Sequence, residues 1–202
     1  IAVSGSSLYV LGNVSSYRGA AITGLVKLDI QSGAADPAFA TNSGPDAGST
    51  ALVVSGPALY VGGYFTHYSG VATPYLGKLD AAGGTVDTAF AAAAGADGPV
   101  TALAISVIAL HVGGSFTHYA GITTALTKID STTGTTDATF GSGAGFDFGV
   151  NSVLLAGPNL YVGGNFTIYR GLPHTILRSS LQRAARSMKR LIPRRRYCIR
   201  HF

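Results

Sequence analysis

Leu59 to Gly70 reads LYVGGYFTHYSG, and the stretch returns as LYVLGNVSSYRG at Leu8 to Gly19, LHVGGSFTHYAG at Leu110 to Gly121 and LYVGGNFTIYRG at Leu160 to Gly171. The offsets between copies are 51, 51 and 50 residues. Other blocks keep the same phase: LVKLD (Leu25 to Asp29), LGKLD (Leu76 to Asp80) and LTKID (Leu126 to Asp130), then DPAF at Asp36, DTAF at Asp87 and DATF at Asp137. A fixed period of this length means an array of one supersecondary unit, each copy burying its faces against its neighbours. The units start near residues 1, 50, 101 and 151, and the repeat domain spans 1–171.

Within a unit the pattern is that of β structure. Ala51 to Val54, the alternating Leu59-Tyr60-Val61, Leu76 to Leu79 and the short Thr85 to Phe90 segment are each bounded by Gly, Pro, Ser or Asp, which reads as three strands and a weak fourth. No window before about residue 176 carries the 3.6-residue period of a helix. The expected fold is all-β: tandem four-stranded, blade-like repeats of about 50 residues forming a partial or open β-propeller, followed by a basic helical segment. Leu59, Val61 and their equivalents are expected on one buried face. Tyr60 and Phe65, with the counterparts Tyr161, Phe116 and Phe166, are expected in the packing between blades. The fourth unit is expected to break off after its second strand. An open arc of this kind leaves two apolar sheet faces without a neighbour, and self-association follows from them.

The succession L-Y-V-G-G-x-F-T-x-Y-x-G, then L-x-K-L-D, a Gly-bearing turn and D-T-A-F resembles the delta-60 repeat proteins, predicted β-propellers of bacterial surface and secreted proteins. The likeness covers about residues 1–171. A weaker similarity to kelch repeats stops at the Gly-Gly, because kelch units carry a spaced Tyr and Trp pair and this chain has no Trp. What the resemblance implies is architecture and export, to the cell surface or outside the cell; it implies no reaction. Leu11 departs from the pattern, standing where the other units have Gly62, Gly113 and Gly163.

Composition agrees with a globular β protein: 47% of the 202 residues are hydrophobic, 28 are Gly and only 11% are charged, too apolar for a disordered chain. No apolar run reaches the roughly 18 residues that span a bilayer. The formal net charge of +5 divides unevenly. Residues 1–171 hold five basic side chains against nine Asp, a net of −4, and residues 172–202 hold nine basic and no acidic ones. Cys198 is the single cysteine, so the repeats contain no disulfide and no thiolate metal site. In the basic tail, Leu181, Ala184, Ala185, Met188 and Leu191 recur at three and four from Leu177 with Arg and Lys between them. That spacing predicts one amphipathic helix ending near Pro193. Such a helix, with Arg194-Arg195-Arg196, would attract nucleic acid or an anionic membrane. A poorly ordered tail is the alternative, as is a shift of reading frame after Gly171, which would explain the loss of Asp and the surplus of Arg together.

Chemistry in a repeat protein needs one constellation, whereas stacking needs many identical ones. All nine acids fall in three repeat slots: Asp29, Asp80, Asp130, then Asp36, Asp87, Asp137, then Asp46, Asp97, Asp147. Each is expected to accept backbone hydrogen bonds at a turn or strand end. An acid pair such as Asp29 and Asp36, or a cation held in the turn, would imply identical sites in three units. His67 and His118 share a slot in adjacent units, filled by Ser16 and Ile168 elsewhere, and no third metal ligand accompanies them. His111 replaces the strand tyrosine and is expected to be packed with one satisfied nitrogen. Asn13-Val14-Ser15 and Asn165-Phe166-Thr167 match the glycosylation pattern only in the strand-to-loop slot of the repeat. No catalytic, metal or cofactor residue is assigned, and no cofactor is expected. The sequence thus points to a noncatalytic module that gives structure or recognises a protein or glycan through its blade loops, in a larger exported protein. The alternative is a carbohydrate-binding or carbohydrate-active propeller.

Overall fold

The computed structural model describes residues 1–39, 44–140, 145–173 and 177–179. Each unit forms one three-stranded antiparallel sheet. In the second unit, Ser49–Ser55, Ala58–Gly63 and Leu76–Asp80 lie side by side with Ala58–Gly63 in the middle. The equivalents are Ala2–Ser4, Ser7–Leu11 and Leu25–Asp29 in the first unit, and Val100–Ser106, Ala109–Gly114 and Leu126–Asp130 in the third. In the fourth they are Val150–Ala156, Asn159–Gly164 and Leu177–Ser179. The fold is mostly strand, arranged as several small antiparallel sheets of which none closes into a barrel.

The sheets stack face on face, so their middle strands read as continuous apolar runs instead of alternating ones. Leu59, Tyr60 and Val61 are all buried, as are Leu110, His111 and Val112. One core cluster joins Ala51, Tyr60 and Leu76 of the second unit to Val100, Leu103, Leu110, Val112 and Ile129 of the third. Another joins Tyr9 and Leu25 of the first unit to Leu59, Val61 and Leu79 of the second. The tyrosine side of each sheet therefore meets the Leu-Val side of the next.

The Gly-Gly of the repeat makes this stacking possible. A Cβ built on Gly62 would lie 2.6 Å from Cγ1 of Val100 in the next sheet, and one on Gly113 2.6 Å from Cγ1 of Val150. The second glycine passes against its own unit, where a Cβ on Gly63, Gly114 or Gly164 would strike the carbonyl of Gly48, Pro99 or Gly149. The Tyr-x-Gly block is also explained. It is a two-residue hairpin turn between strands of two residues, as in His67–Tyr68 paired with Val71–Ala72. Both turn residues have positive φ, 48° at Ser69 and 78° at Gly70, with the same pair in every unit. That is the type I′ geometry, matching the right-handed twist of the strands.

Four expectations need correction. The weak fourth strand is a single bridge in each of the first three units, Leu28 to Ala35, Leu79 to Val86 and Ile129 to Thr136. After Val86 the chain turns into a helix, Thr88–Ala93, because Asp87 caps it by accepting from the Phe90 amide. Six residues of Ala, Thr and Phe are too short to show a helical period, so the reading of no helix before residue 176 missed it. The fourth unit does not stop at two strands, since the backbone of Leu177–Ser179 pairs with its middle strand. These are the first three residues of the stretch expected to be a helix; residues 180–202 lie outside the described ones. Burial of Tyr161 and of the first unit's Leu-Val face is also overestimated. Leu160, Val162, Phe65, Phe116 and Phe166 are buried as expected, but Tyr161 is 41% exposed against 3% for Tyr60, and Leu8 and Val10 are half-buried. Both places lie on the outward sides of the end sheets.

Candidate functional site

The three aspartate slots do three different structural jobs. Asp29, Asp80 and Asp130 end the last strand of their sheets and accept from amides of the following turn: Ser32 at 2.8 Å, Gly83 at 2.7 Å and Thr133 at 2.8 Å. Asp36, Asp87 and Asp137 accept from amides two or three residues on, and their other oxygen pairs with Lys27, Lys78 and Lys128 at 2.8, 2.9 and 2.8 Å. The Lys128 ammonium and the Thr139 hydroxyl hold Asp137 down to about 2. The Phe closing each D-x-x-F block packs edge-on against the strand aromatic of its own unit, Tyr9 with Phe39, Tyr60 with Phe90 and His111 with Phe140.

The third slot works at longer range. Asp46, Asp97 and Asp147 each accept from the amide and hydroxyl of a threonine 20 residues on, Thr66, Thr117 and Thr167. They tie the loop that enters the sheet to the strand-to-ribbon turn. Amide bonds from His67 and Thr66 hold Asp46 at about 2, and those from His118 and Thr117 hold Asp97 still lower. His67 and His118 are thereby drawn to their own units' carboxylates, Nδ1 to Oδ2 at 3.1 and 3.0 Å, rather than to one another. Among the described residues no group of three His, Cys, Asp or Glu could hold a metal ion. His111 is buried, and burial followed by the nearby Lys128 charge depresses its basicity. Its Nδ1 is buried without a hydrogen-bond partner.

Among the described residues, bonds between sheets run from side chains of one unit to carbonyls of the next. Tyr9 and Tyr60 donate to the carbonyls of Ala81 and Ser131 in the following unit, both at 2.7 Å. Lys27 and Lys78 reach Ala82 and Thr132. A bulge between the first two strands of each of the last three units aims Thr50 and Thr101 at the carbonyls of Val100 and Val150, at 3.0 and 2.6 Å. Asn151 fills that slot in the fourth unit and bonds Asn165 of its own unit instead.

Two features escaped the sequence reading. A cleft of about 470 Å³ opens between the loops of the third and fourth units, lined by Ser115, Thr117, Thr124, Asp147, Phe148 and Asn165, with Phe148 exposed. The only signal was the aromatic at 148, where the second and third units have the small residues Ala47 and Gly98. The Lys-Asp pairs were legible as a constant spacing of nine residues, Lys27 to Asp36, Lys78 to Asp87 and Lys128 to Asp137. Among the described residues no helix is long and apolar enough to cross a membrane.

No family model and no curated protein matches the chain. Among solved structures, the crystal structure of the computationally designed Ika4 protein is similar in fold, with a TM-score of 0.51 at 14% identity, covering 81% of this chain and 82% of that one.

Proposed function

We propose that this chain is a noncatalytic, propeller-like repeat module that contributes structure or recognition to a larger exported protein, consistent with the resemblance of its motifs to delta-60 repeats. The observation that carries the reading is the use of the acids. All nine aspartates accept recurring turn, cap or loop-to-ribbon hydrogen bonds, which leaves no odd carboxylate to serve as a general acid or base. Face-to-face stacking of small antiparallel sheets supports the blade reading, and loops on such a scaffold are where recognition residues sit. A panel of chromogenic glycoside, ester and phosphate substrates should give no turnover with the purified chain. Turnover that survives purification and is lost in Asp97→Asn would overturn the reading.

The cleft beside Phe148 supports a second reading, carbohydrate binding. An exposed ring in a cleft also lined by Asp147, Asn165 and four hydroxyl side chains offers an apolar plate with polar groups at its rim, the usual make-up of a small-ligand site. On a glycan array this reading expects specific signals that disappear in Phe148→Ala; an array with no signal removes it.

A further inference from the structure

The interface between sheets is directional, and among the described residues one face of the first sheet and one face of the fourth have no neighbouring sheet. On the fourth sheet the tyrosine side exposes Tyr161 and Leu154, the latter by 61%; these stand in the slots of the buried Tyr60 and half-buried Val53. A Cβ on Gly163 would meet nothing nearer than Cβ of Ser152, at 3.8 Å, where Gly62 and Gly113 are filled by a valine of the next sheet. On the first sheet the Leu-Val side exposes Ile1 and Val3 and half-exposes Leu8 and Val10. Ile30, itself exposed, holds the position whose carbonyl accepts the tyrosine hydroxyl at Ala81 and Ser131.

We infer that the tyrosine face of the fourth sheet docks the Leu-Val face of the first sheet in a second copy of this chain, repeating the internal interface between molecules. Each surface matches one side of the interface that recurs within the chain, apolar against apolar, with Tyr161 placed to donate to the Ile30 carbonyl, while the first sheet, whose first strand is Ala2–Ser4, brings no residue in the slot of Val100 and Val150 to face Gly163. Such a contact is heterologous, so it closes into a ring when the rotation per copy divides the circle and otherwise extends into a polymer. The inference does not depend on the noncatalytic reading, because it uses only the stacking of the sheets.

Sedimentation velocity of the purified chain over a concentration series is the test. The expected result is a discrete ring or a concentration-dependent polymer. Leu154→Glu with Tyr161→Glu, and separately Ile1→Glu with Val3→Glu, should each give monomer, since each alters exposed residues on one face only. Mixed in equal amounts, the two variants should form a one-to-one pair through their intact faces. Tyr161→Phe removes one hydroxyl and keeps the ring, and should weaken association about three- to tenfold. A monodisperse wild-type monomer throughout the series overturns the inference. So does association that one double variant blocks, the other leaves intact, and mixing fails to restore, because that is the behaviour of a two-fold contact between like faces.

Discussion

Leu11 stands in the slot that Gly62 and Gly113 hold in the next two sheets, and the residue in the slot of Val100 and Val150 is Ser49. A large side chain on one sheet thus goes with a small one on the following sheet, so the volume between them is kept, at the cost of a buried Ser49 hydroxyl that has no partner. This pairing makes the glycine slot testable. Gly113→Ala should lower stability by about 1–3 kcal/mol through overpacking against Val150, whereas Gly163→Ala, whose added Cβ would make only an ordinary contact with Cβ of Ser152 at 3.8 Å, should change the denaturation midpoint little. Equal losses at the two sites would show that packing across the sheets is not what requires glycine. Val107 breaks the repeat in another way. It has φ of 48° in the hairpin position where the other units place Gly5, Gly56 and Gly157, and it is 85% exposed. A β-branched residue is strained there and no burial compensates it. Val107→Gly is expected to raise stability by about 0.5–1 kcal/mol, read from chemical denaturation; a loss would mean that the valine contributes a contact worth more than its strain.

At the scale of the element, the D-x-x-F block shows why a segment with strand-like composition does not become a strand. After one bridge at Val86, Asp87 captures the Phe90 amide, starts the helix Thr88–Ala93 and pairs with Lys78. Phe90 then reaches back to lie edge-on to Tyr60 at 5.8 Å. Local side-chain capture of the backbone competes with the sheet ladder and here wins. The cap and the ion pair can be separated. Asp87→Asn keeps the acceptor oxygen and loses the charge, and should cost less than about 1 kcal/mol because the pair is part-exposed and screened. Asp87→Ala loses both and should cost about 1–2 kcal/mol. Thermal unfolding of the two variants side by side checks this, and identical losses would assign the whole effect to the ion pair.

Across the whole molecule the charges fix how stability responds to acid. His111 is held below its ordinary 6.5 by burial and Lys128, so the unfolded chain takes up this proton first and stability falls as pH drops below about 6.5. Asp46 and Asp137 sit near 2 in the fold against 3.8 unfolded, so their contribution is complete above about 3.8 and is lost as pH falls from there towards 2. Melting temperature should therefore decline in two stages, and His111→Tyr, which restores the residue of the other units, should remove the first. A single stage in the wild type would contradict the burial of His111. The sequence by itself determined the period, the all-β class, the burial of Leu59, Val61 and Phe65, and the structural use of the aspartates, because each is a local pattern repeated in phase and a repeated pattern repeats its environment. Only the tertiary structure decided which side of Tyr60 and Tyr161 is covered, since the same Leu-Tyr-Val is buried between two sheets in one unit and half-open at the end of the stack in another. It also decided the pairing of Asp46 with Thr66 and the cleft beside Phe148, because these depend on loops that meet across 20 residues or across two units, and no spacing within one strand encodes a neighbour that arrives from elsewhere in the chain.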